Sequence, residues 1–352
     1  MARRTASAFP LIAGLTGVAI GAAVVAWFTS GIGIRRPLSH PEPTVGPEDA
    51  WDRLKEWRAS EGAEIHGAGH TNLLEPLHAR PGDPTIVLLH GLTDSPDQFA
   101  WIGRVLRGAG YRVLLPRMPD HARIDRDASP LAHHRADDLT AFADEAVDVA
   151  AGFGGPVWVA GLSAGGLLAT WCGRTRSEVT RVAAIAPFFA PHGYRWGLVR
   201  AAARLEGLLP AQMHWWDPER LENAVVSPYG YAGFPVRGGS AYMRISEALY
   251  DGRLPEQPNL ERAVLVLNDS DDQISDVRAR ECFRKCFRDR VADYDEITLP
   301  ASLGWPHDFI GDWRTPRPDP VLVLRVVLSA IGVEGDAVKA SVDRYMSGLA
   351  QA

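Results

Sequence analysis

Apolar and polar positions follow a regular pattern from Pro84 to about Ile331. Short apolar runs, which are typical of buried strands, are separated by longer stretches with the three- and four-residue spacing of helices. The predicted strands cover residues 85–89, 111–115, 157–160, 181–186, 263–267 and 293–299. The predicted helices cover residues 97–108, 136–151, 164–171, 274–288 and 320–331. Apolar strands that alternate with helices predict an α/β fold with a mostly parallel sheet and helices on both of its faces.

The N-terminal pattern is different, because residues 11–34 form a run of 24 residues without a charge. A helix of that length measures ~36 Å, which is enough to cross a hydrocarbon core of ~30 Å. Residues 1–36 are therefore predicted to be a single-pass membrane anchor. A cleaved signal peptide is the alternative, since Val24-Val25-Ala26 fits a cleavage site, and the protein would then be secreted or periplasmic.

Residues 37–64 are predicted to link this anchor to the regular pattern. Residues 37–47 are rich in proline and polar side chains, which is typical of a spacer that holds a domain away from a membrane. Residues 47–63 carry acids in their first turn and apolar residues at helical spacing, so they predict a short amphipathic helix. Residues 65–79 are predicted to form a β-hairpin ahead of the main sheet.

The regular pattern is interrupted between residues 188 and 260. This region has no clear strand, carries helical stretches near 194–208 and 237–250, and is rich in aromatic residues. Most of these aromatics are expected to form the region's own small core, and a few to face an apolar pocket. The remaining boundaries are a core of residues 65–187 and 261–335, a helical insertion at 188–260, and a C-terminal tail at 336–352.

Composition excludes several classes of protein. Hydrophobic residues make up 46% of the 352 residues, so a sizeable core is available. The net charge of -6 and the scattered basic residues argue against a nucleic-acid surface. Three cysteines do not make a disulfide scaffold, and Cys282 and Cys286 lack partners at zinc spacing. No metal and no cofactor are implied.

A candidate for chemistry is the segment Gly161-Leu-Ser163-Ala-Gly165. It stands where a predicted strand turns abruptly into a predicted helix. Such a turn strains the backbone of the serine, and side chains at Gly161 and Gly165 would collide with neighbouring chain. The start of the helix also favours negative charge beside Ser163. The alternative is a Gly- and Ser-rich turn without chemistry.

A nucleophilic serine needs a base, a carboxylate that orients the base, and N–H donors for an oxyanion. The loops after three predicted strands carry such groups. Residues 268–272 include three aspartates, His307 follows the last strand, and His90-Gly91-Leu92-Thr93 follows the first. The carboxyl ends of parallel strands meet at one edge of a sheet, so these loops are expected to lie close together.

These motifs, in this order, resemble the α/β-hydrolase superfamily, and in particular its carboxylesterases and monoacylglycerol lipases. The resemblance covers about residues 84–331. It implies that Ser163 is the nucleophile and that His307 is the base. It also implies that Asp272 is the acid, with Asp271 as the alternative, because Asp269 stands where the family commonly has glycine.

The resemblance further implies that the backbone N–H groups of Leu92 and Ala164 form the oxyanion hole. Gly91 belongs to the same loop as Leu92, and residues 188–260 stand where the family has a cap or lid. The segment Met118-Pro-Asp-His-Ala122 is similar to the family's Pro-Gly-His-Gly turn with both glycines replaced. A reshaped turn is therefore expected there.

The expected function is that of a membrane-tethered serine hydrolase that cleaves a small carboxylic ester, acyl-glycerol or otherwise lipid-like, through an acyl-enzyme. Peptidases, thioesterases and C–C bond hydrolases use the same three residue types and remain alternatives. A non-catalytic, membrane-tethered binding protein with a hydrolase fold is the alternative from another class.

Overall fold

The computed structural model describes residues 21–28, 30, 32–80, 82–217, 219, 227–254, 259–311 and 318–349. The strands are β1 (Asn72–Leu74), β2 (Thr85–Leu89), β3 (Arg112–Leu115), β4 (Val157–Leu162), β5 (Val179–Ile185), β6 (Met213–Trp215), β7 (Gly233–Pro235), β8 (Arg262–Asn268) and β9 (Asp293–Leu299). Seven of them form the main sheet, in the order β1-β3-β2-β4-β5-β8-β9. All its pairs are parallel except that of β1 with β3. The predicted mostly parallel sheet is thus confirmed.

Helices cover both faces of this sheet. They are α1 (Gly46–Ser60), α2 (Ala100–Gly108), α3 (Ala136–Ala151), α4 (Ala164–Thr175), α5 (Trp196–Arg204), α6 (Val236–Asp251), α7 (Asp276–Phe287), α8 (Pro320–Ile331) and α9 (Asp336–Leu349). Helices α2, α8 and α9 pack on one face, and α3, α4 and α7 on the other. The central strands β2 and β4 are buried along their whole length, which explains their continuous apolar pattern.

Two local predictions about strands are wrong. Residues 65–79 do not form a hairpin, because their one strand, β1, pairs with β3, with Asn72 opposite Leu115. The insertion contains the short strands β6 and β7, which pair with each other. Strands of three residues are too short to show a period of two, so the sequence pattern did not reveal them.

The segment predicted to be a spacer lies against the core. Ser39 Oγ donates a hydrogen bond to Asp144 at 2.7 Å, and Glu42 N donates to Asp148 at 2.9 Å. Both aspartates are buried on α3, and this segment adds donors to those that the Arg176 guanidinium supplies to both carboxylates. The spacer prediction is wrong because the acidic side of α3 is covered by residues 37–44.

The predicted anchor over residues 11–34 lies mostly outside the described residues. Residues 21–28 are helical. Trp27 of this helix packs under the Arg204 guanidinium, 3.8 Å from its ring centre. Within the ranges that the structure describes, no helix combines the length and apolarity needed to cross a membrane.

The predicted tail is a docked helix. Helix α9 packs against α2, where Ser341 Oγ donates a hydrogen bond to the Val105 carbonyl at 2.7 Å. Tyr345 stacks on Trp101 with 5.7 Å between the ring centres. These contacts add a helix to one face of the core beyond residue 335.

Candidate active site

The turn at Ser163 has the geometry that its sequence predicts. Strand β4 ends at Leu162 and α4 begins at Ala164, and Ser163 between them has φ 56° and ψ -115°. A Cβ on Gly161 would lie 2.3 Å from the Gly165 carbonyl oxygen, and a Cβ on Gly165 would lie 2.0 Å from that of Leu89. Backbone therefore fills the space on both sides of the serine, and only glycine fits there.

The imidazole that lines the same cavity as Ser163 belongs to His307, on the loop after β9. His307 Nδ1 donates to Asp271 Oδ2 at 2.5 Å, and the Asp271 side chain is completely buried. Asp272 is exposed. The prediction of Asp272 as the acid is therefore wrong, and the partner of His307 is its neighbour Asp271.

A tight turn after β8 explains this choice between two adjacent aspartates. Asp271 N donates to the Asn268 carbonyl at 2.8 Å, and Asp271 Oδ1 accepts from the N–H of Gln273 at 2.9 Å. These bonds fold the Asp271 side chain under the turn, toward His307. The next side chain, that of Asp272, then points to solvent.

The loop after β2 approaches the serine from the other side. A Cβ on Gly91 would lie 3.7 Å from Ser163 Cβ, and Gly91 N donates to Gln98 Oε1 at 2.8 Å. Leu92 lines the cavity in front of Ser163. Ala164 is the first residue of α4, where N–H groups have no partner within the helix. The two predicted oxyanion donors thus flank the serine.

Two neutral histidines support this loop. His90 Nδ1 donates to the Gly91 carbonyl at 2.9 Å, and His90 Nε2 accepts from Met118 N at 3.0 Å. Burial, with a smaller contribution from the Arg117 charge, lowers the pKa of His90 to about 4. Thr93 N donates to His121 Nε2 at 3.4 Å, and burial lowers the pKa of His121 as well.

His121 belongs to the turn that was expected to be reshaped. Asp120 has φ 60° and Ala122 has φ 59°, so both residues adopt the left-handed backbone that glycine favours. The turn therefore has a backbone suited to glycine although it contains no glycine. The expectation that this turn is reshaped stays a prediction.

A cavity of about 90 Å³ lies in front of Ser163 and His307. The insertion forms part of its wall through Trp216 and Tyr231. Trp216 Nε1 donates to Thr93 Oγ1 at 2.8 Å, and Tyr231 N donates to the Thr93 carbonyl at 2.7 Å. The insertion is thus bonded to the same loop that carries Leu92.

The sequence patterns did not single out three polar residues that line this cavity. They are Gln98, Asp94 and Asp308. Asp94 lies two residues after Leu92 and Asp308 directly follows His307, so proximity to the motifs was the available signal. Within the described ranges, no group of three or more His, Cys, Asp or Glu side chains could hold a metal ion.

Comparisons with known proteins agree with this geometry. A thermostable monoacylglycerol lipase of Bacillus sp. (strain H-257) is 27% identical over 117 residues, which are 32% of this chain and 43% of that enzyme. The structure of Paleococcus ferrophilus monoacylglycerol lipase matches with a TM-score of 0.53 at 17% identity, over 74% of this chain and 97% of that one. A soluble variant of Saccharomyces cerevisiae monoglyceride lipase matches with a TM-score of 0.53 at 14% identity, over 74% and 88% of the two chains.

The matched part of the Bacillus lipase is less than half of that enzyme, and the structural matches at these identities show a common fold. The family relationship rests on a broader match. The model of the alpha/beta hydrolase family matches residues 86–351, which include the serine turn, the Asp271 loop and His307. This chain belongs to the alpha/beta hydrolase family.

Proposed function

We propose that this protein is a serine hydrolase that cleaves carboxylic esters, with Ser163 as nucleophile, His307 as general base and Asp271 as the acid that orients it. The observation that carries the proposal is the hydrogen bond from His307 Nδ1 to a buried carboxylate, in a cavity that Ser163 also lines. That bond leaves Nε2 without a proton, so it can accept one.

In the acylation step, Ser163 Oγ attacks the ester carbonyl carbon and its proton passes to His307 Nε2. The carbonyl oxygen becomes an oxyanion, which the N–H groups of Leu92 and Ala164 stabilise. Each such donor contributes about 3 kcal/mol to stabilisation of the transition state when it is aimed at the oxyanion. His307 then gives the proton to the leaving alcohol as the ester bond breaks.

In the deacylation step, a water molecule attacks the acyl-enzyme and gives one proton to His307. The acid is released when this proton returns to Ser163 Oγ. The role of Asp271 is to hold the ring and stabilise the imidazolium, and it takes no proton from it. Its complete burial makes that electrostatic interaction stronger than it is in water.

The relatives favour a lipid-like ester, since all three enzymes named above are monoacylglycerol or monoglyceride lipases. The cavity of about 90 Å³ is small for such a substrate. Pockets for ligands of drug size measure about 300–1,000 Å³. A long acyl chain therefore requires the wall formed by Trp216 and Tyr231 to move, and short acyl chains do not.

The test uses purified protein and acyl nitrophenyl esters of graded chain length. Ser163→Ala is expected to remove the activity, and Asp271→Asn to lower kcat by about 10⁴, because the wrong tautomer of His307 is then favoured. Asp272→Asn is the matched control and is expected to keep the parent activity. Parent protein without esterase activity, or a larger loss in Asp272→Asn than in Asp271→Asn, would contradict the proposal.

We also propose that residues 11–34 hold this hydrolase at a membrane. The support is the uncharged run of 24 residues in the sequence. Carbonate extraction of membranes from cells that express the full chain tests this. Full-length protein is expected in the membrane pellet. A shortened chain in the soluble fraction, whose intact mass corresponds to an N-terminus near residue 27, would indicate a cleaved signal instead.

A further inference from the structure

Two carboxyl groups that the proposed mechanism does not use line the same cavity as Ser163. They belong to Asp94, on the loop after β2, and Asp308, which follows His307. Asp94 is 6% exposed and Asp308 is 9% exposed. A substrate that reaches Ser163 therefore shares a small space with both groups.

The two carboxyl groups differ in their hydrogen bonds. Asp94 Oδ1 accepts from Ser95 N at 2.8 Å, and the Asp94 carboxyl also accepts from the Ser227 hydroxyl. Asp308 Oδ1 accepts from Gly311 N at 3.0 Å, and among the described residues no hydrogen bond or ion pair reaches its second oxygen. The part of the cavity wall that the structure describes thus holds two buried acids and no lysine or arginine.

This arrangement is costly for two negative charges. Burial, followed by repulsion from Asp308, raises the pKa of Asp94 well above its usual range. A positively charged group that entered the cavity would stabilise the charged form of both carboxyl groups.

Aromatic rings complete the wall around these acids. Trp216 and Tyr231 from the insertion line the same cavity, and Tyr231 is almost fully buried. The faces of Trp and Tyr rings attract cations, and ammonium groups are commonly held by such rings beside a carboxylate. Acids and aromatic rings together suit an organic cation better than a metal ion or a neutral alcohol.

We propose that Asp94 and Asp308 form a cationic subsite, which binds an ammonium group carried by the ester substrate. The claim that the ammonium group belongs to a substrate rests on the proposed esterase function. The claim that the cavity binds a cation does not. It narrows the substrate class to esters with a positively charged nitrogen near the scissile bond.

The first arm of the test measures binding without turnover. Tetramethylammonium chloride is titrated into full-chain Ser163→Ala by calorimetry at pH 7.5, with choline chloride as a second probe. Saturable binding is expected. Asp308→Asn is expected to weaken binding at least tenfold, and the exposed Asp272→Asn to leave it unchanged.

The second arm measures specificity with pairs of esters that have the same shape. Butyrylcholine and 3,3-dimethylbutyl butyrate differ in carrying N⁺ or a neutral carbon on the alcohol. Methyl 4-trimethylammoniobutyrate and methyl 5,5-dimethylhexanoate carry the same difference on the acyl side. At least one charged ester is expected to have a tenfold higher kcat/KM than its neutral partner, and Asp308→Asn to abolish that preference.

The two proposals fail in different ways. Esterase activity that survives Ser163→Ala would remove the proposed mechanism and leave the binding arm intact. Neutral esters preferred in both pairs, or no ammonium binding by Ser163→Ala, would remove the subsite and leave the esterase standing. Near-ultraviolet circular dichroism shows whether Asp308→Asn is folded, and Asp94→Asn repeats the test from the other side of the cavity.

Discussion

Two tight turns, the serine turn at residues 161–165 and the Met118–Ala122 turn, differ in whether they contain glycine. The serine turn has glycine at residues 161 and 165. The Met118–Ala122 turn carries Asp120 and Ala122 at positive φ, in the left-handed region that glycine favours. One turn thus contains glycine, and the other places non-glycine residues in a backbone suited to glycine.

The reason lies in what surrounds each backbone. A Cβ on Gly165 would lie 2.0 Å from the Leu89 carbonyl oxygen, which β2 holds in the sheet. Ala122 has space, because the residue that faces it is Gly69, where an added Cβ would lie 2.3 Å from Ala122 Cβ. A left-handed backbone costs about 1–2 kcal/mol, whereas a clash with fixed backbone cannot relax. A glycine whose Cβ would clash with fixed backbone is thus harder to replace than a glycine whose backbone has a positive φ.

The largest effect is expected from Gly165→Ala. The new Cβ meets the carbonyl oxygens of Leu89 and His90 at 2.0 and 2.6 Å, so α4 or β2 must shift. We expect the free energy of unfolding in urea to fall by about 3 kcal/mol, with loss of ester hydrolysis. Gly348→Ala is the control, since its Cβ meets nothing within 4 Å on α9. Equal stability of the two variants would contradict the role of space at Gly165.

The second prediction uses a pH dependence at the Met118–Ala122 turn, where Met118 N donates to His90 Nε2. Its pKa is lowered to about 4, so the folded protein resists a proton that the unfolded chain takes up below its ordinary value of 6.5. The stability that neutral His90 provides is therefore present above pH 6.5 and is lost as the pH falls toward 4. Between pH 7.5 and 4.5 this loss amounts to about 2.5 kcal/mol.

Urea unfolding of the parent and His90→Gln at these two pH values tests this prediction. The variant is expected to be less stable at pH 7.5, since Gln replaces a buried hydrogen-bonded ring, but to lose about 2.5 kcal/mol less on acidification. His133→Gln, at an exposed histidine, should keep the parent's pH dependence. If His90→Gln kept the parent's pH dependence of the free energy of unfolding, His90 would not be its source.

The third prediction exchanges space between two residues that face each other. Gly69→Ala alone places two Cβ atoms 2.3 Å apart and should lower the free energy of unfolding by about 2 kcal/mol. In an Ala122→Gly background the nearest remaining atom, the Ala122 carbonyl oxygen, is 3.5 Å away. Most of the loss should then disappear, and the double-mutant cycle should show coupling. Additive effects would show that Gly69 does not make the space for Ala122.

Features that depend on residues adjacent in sequence could be predicted from the sequence. The serine turn was predictable because Gly161, Ser163 and Gly165 are adjacent in sequence and obey a local geometric constraint. His307 was predictable because one histidine stands in the loop after β9. The apolar period similarly placed the helices over residues 136–151 and 320–331 at the bounds that the structure shows.

The orientation of side chains within a turn, and interactions between distant segments, were not predictable in this way. The choice of Asp271 over Asp272 depends on a turn hydrogen bond to Asn268, which no pattern of residue types encodes. The spacer prediction failed because the acids of α3 are bonded to a segment more than 100 residues earlier in the chain. The positive φ of Ala122 likewise depends on Gly69, far away in sequence.

The smallest effect is expected from Asp120→Gly, which isolates φ from space. Asp120 has φ 60° and a side chain that is 43% exposed, 3.7 Å from His134 Nε2 at its nearest oxygen. Glycine removes a left-handed strain of about 1–2 kcal/mol but adds about 0.5–1 kcal/mol of backbone entropy cost. A gain of about 0.5 kcal/mol in urea unfolding is therefore expected. Asp120→Ala keeps the strain, loses the contact with His134 and should gain nothing. Equal stability of the two variants would mean that φ costs little in this turn, and that space alone separates it from the serine turn.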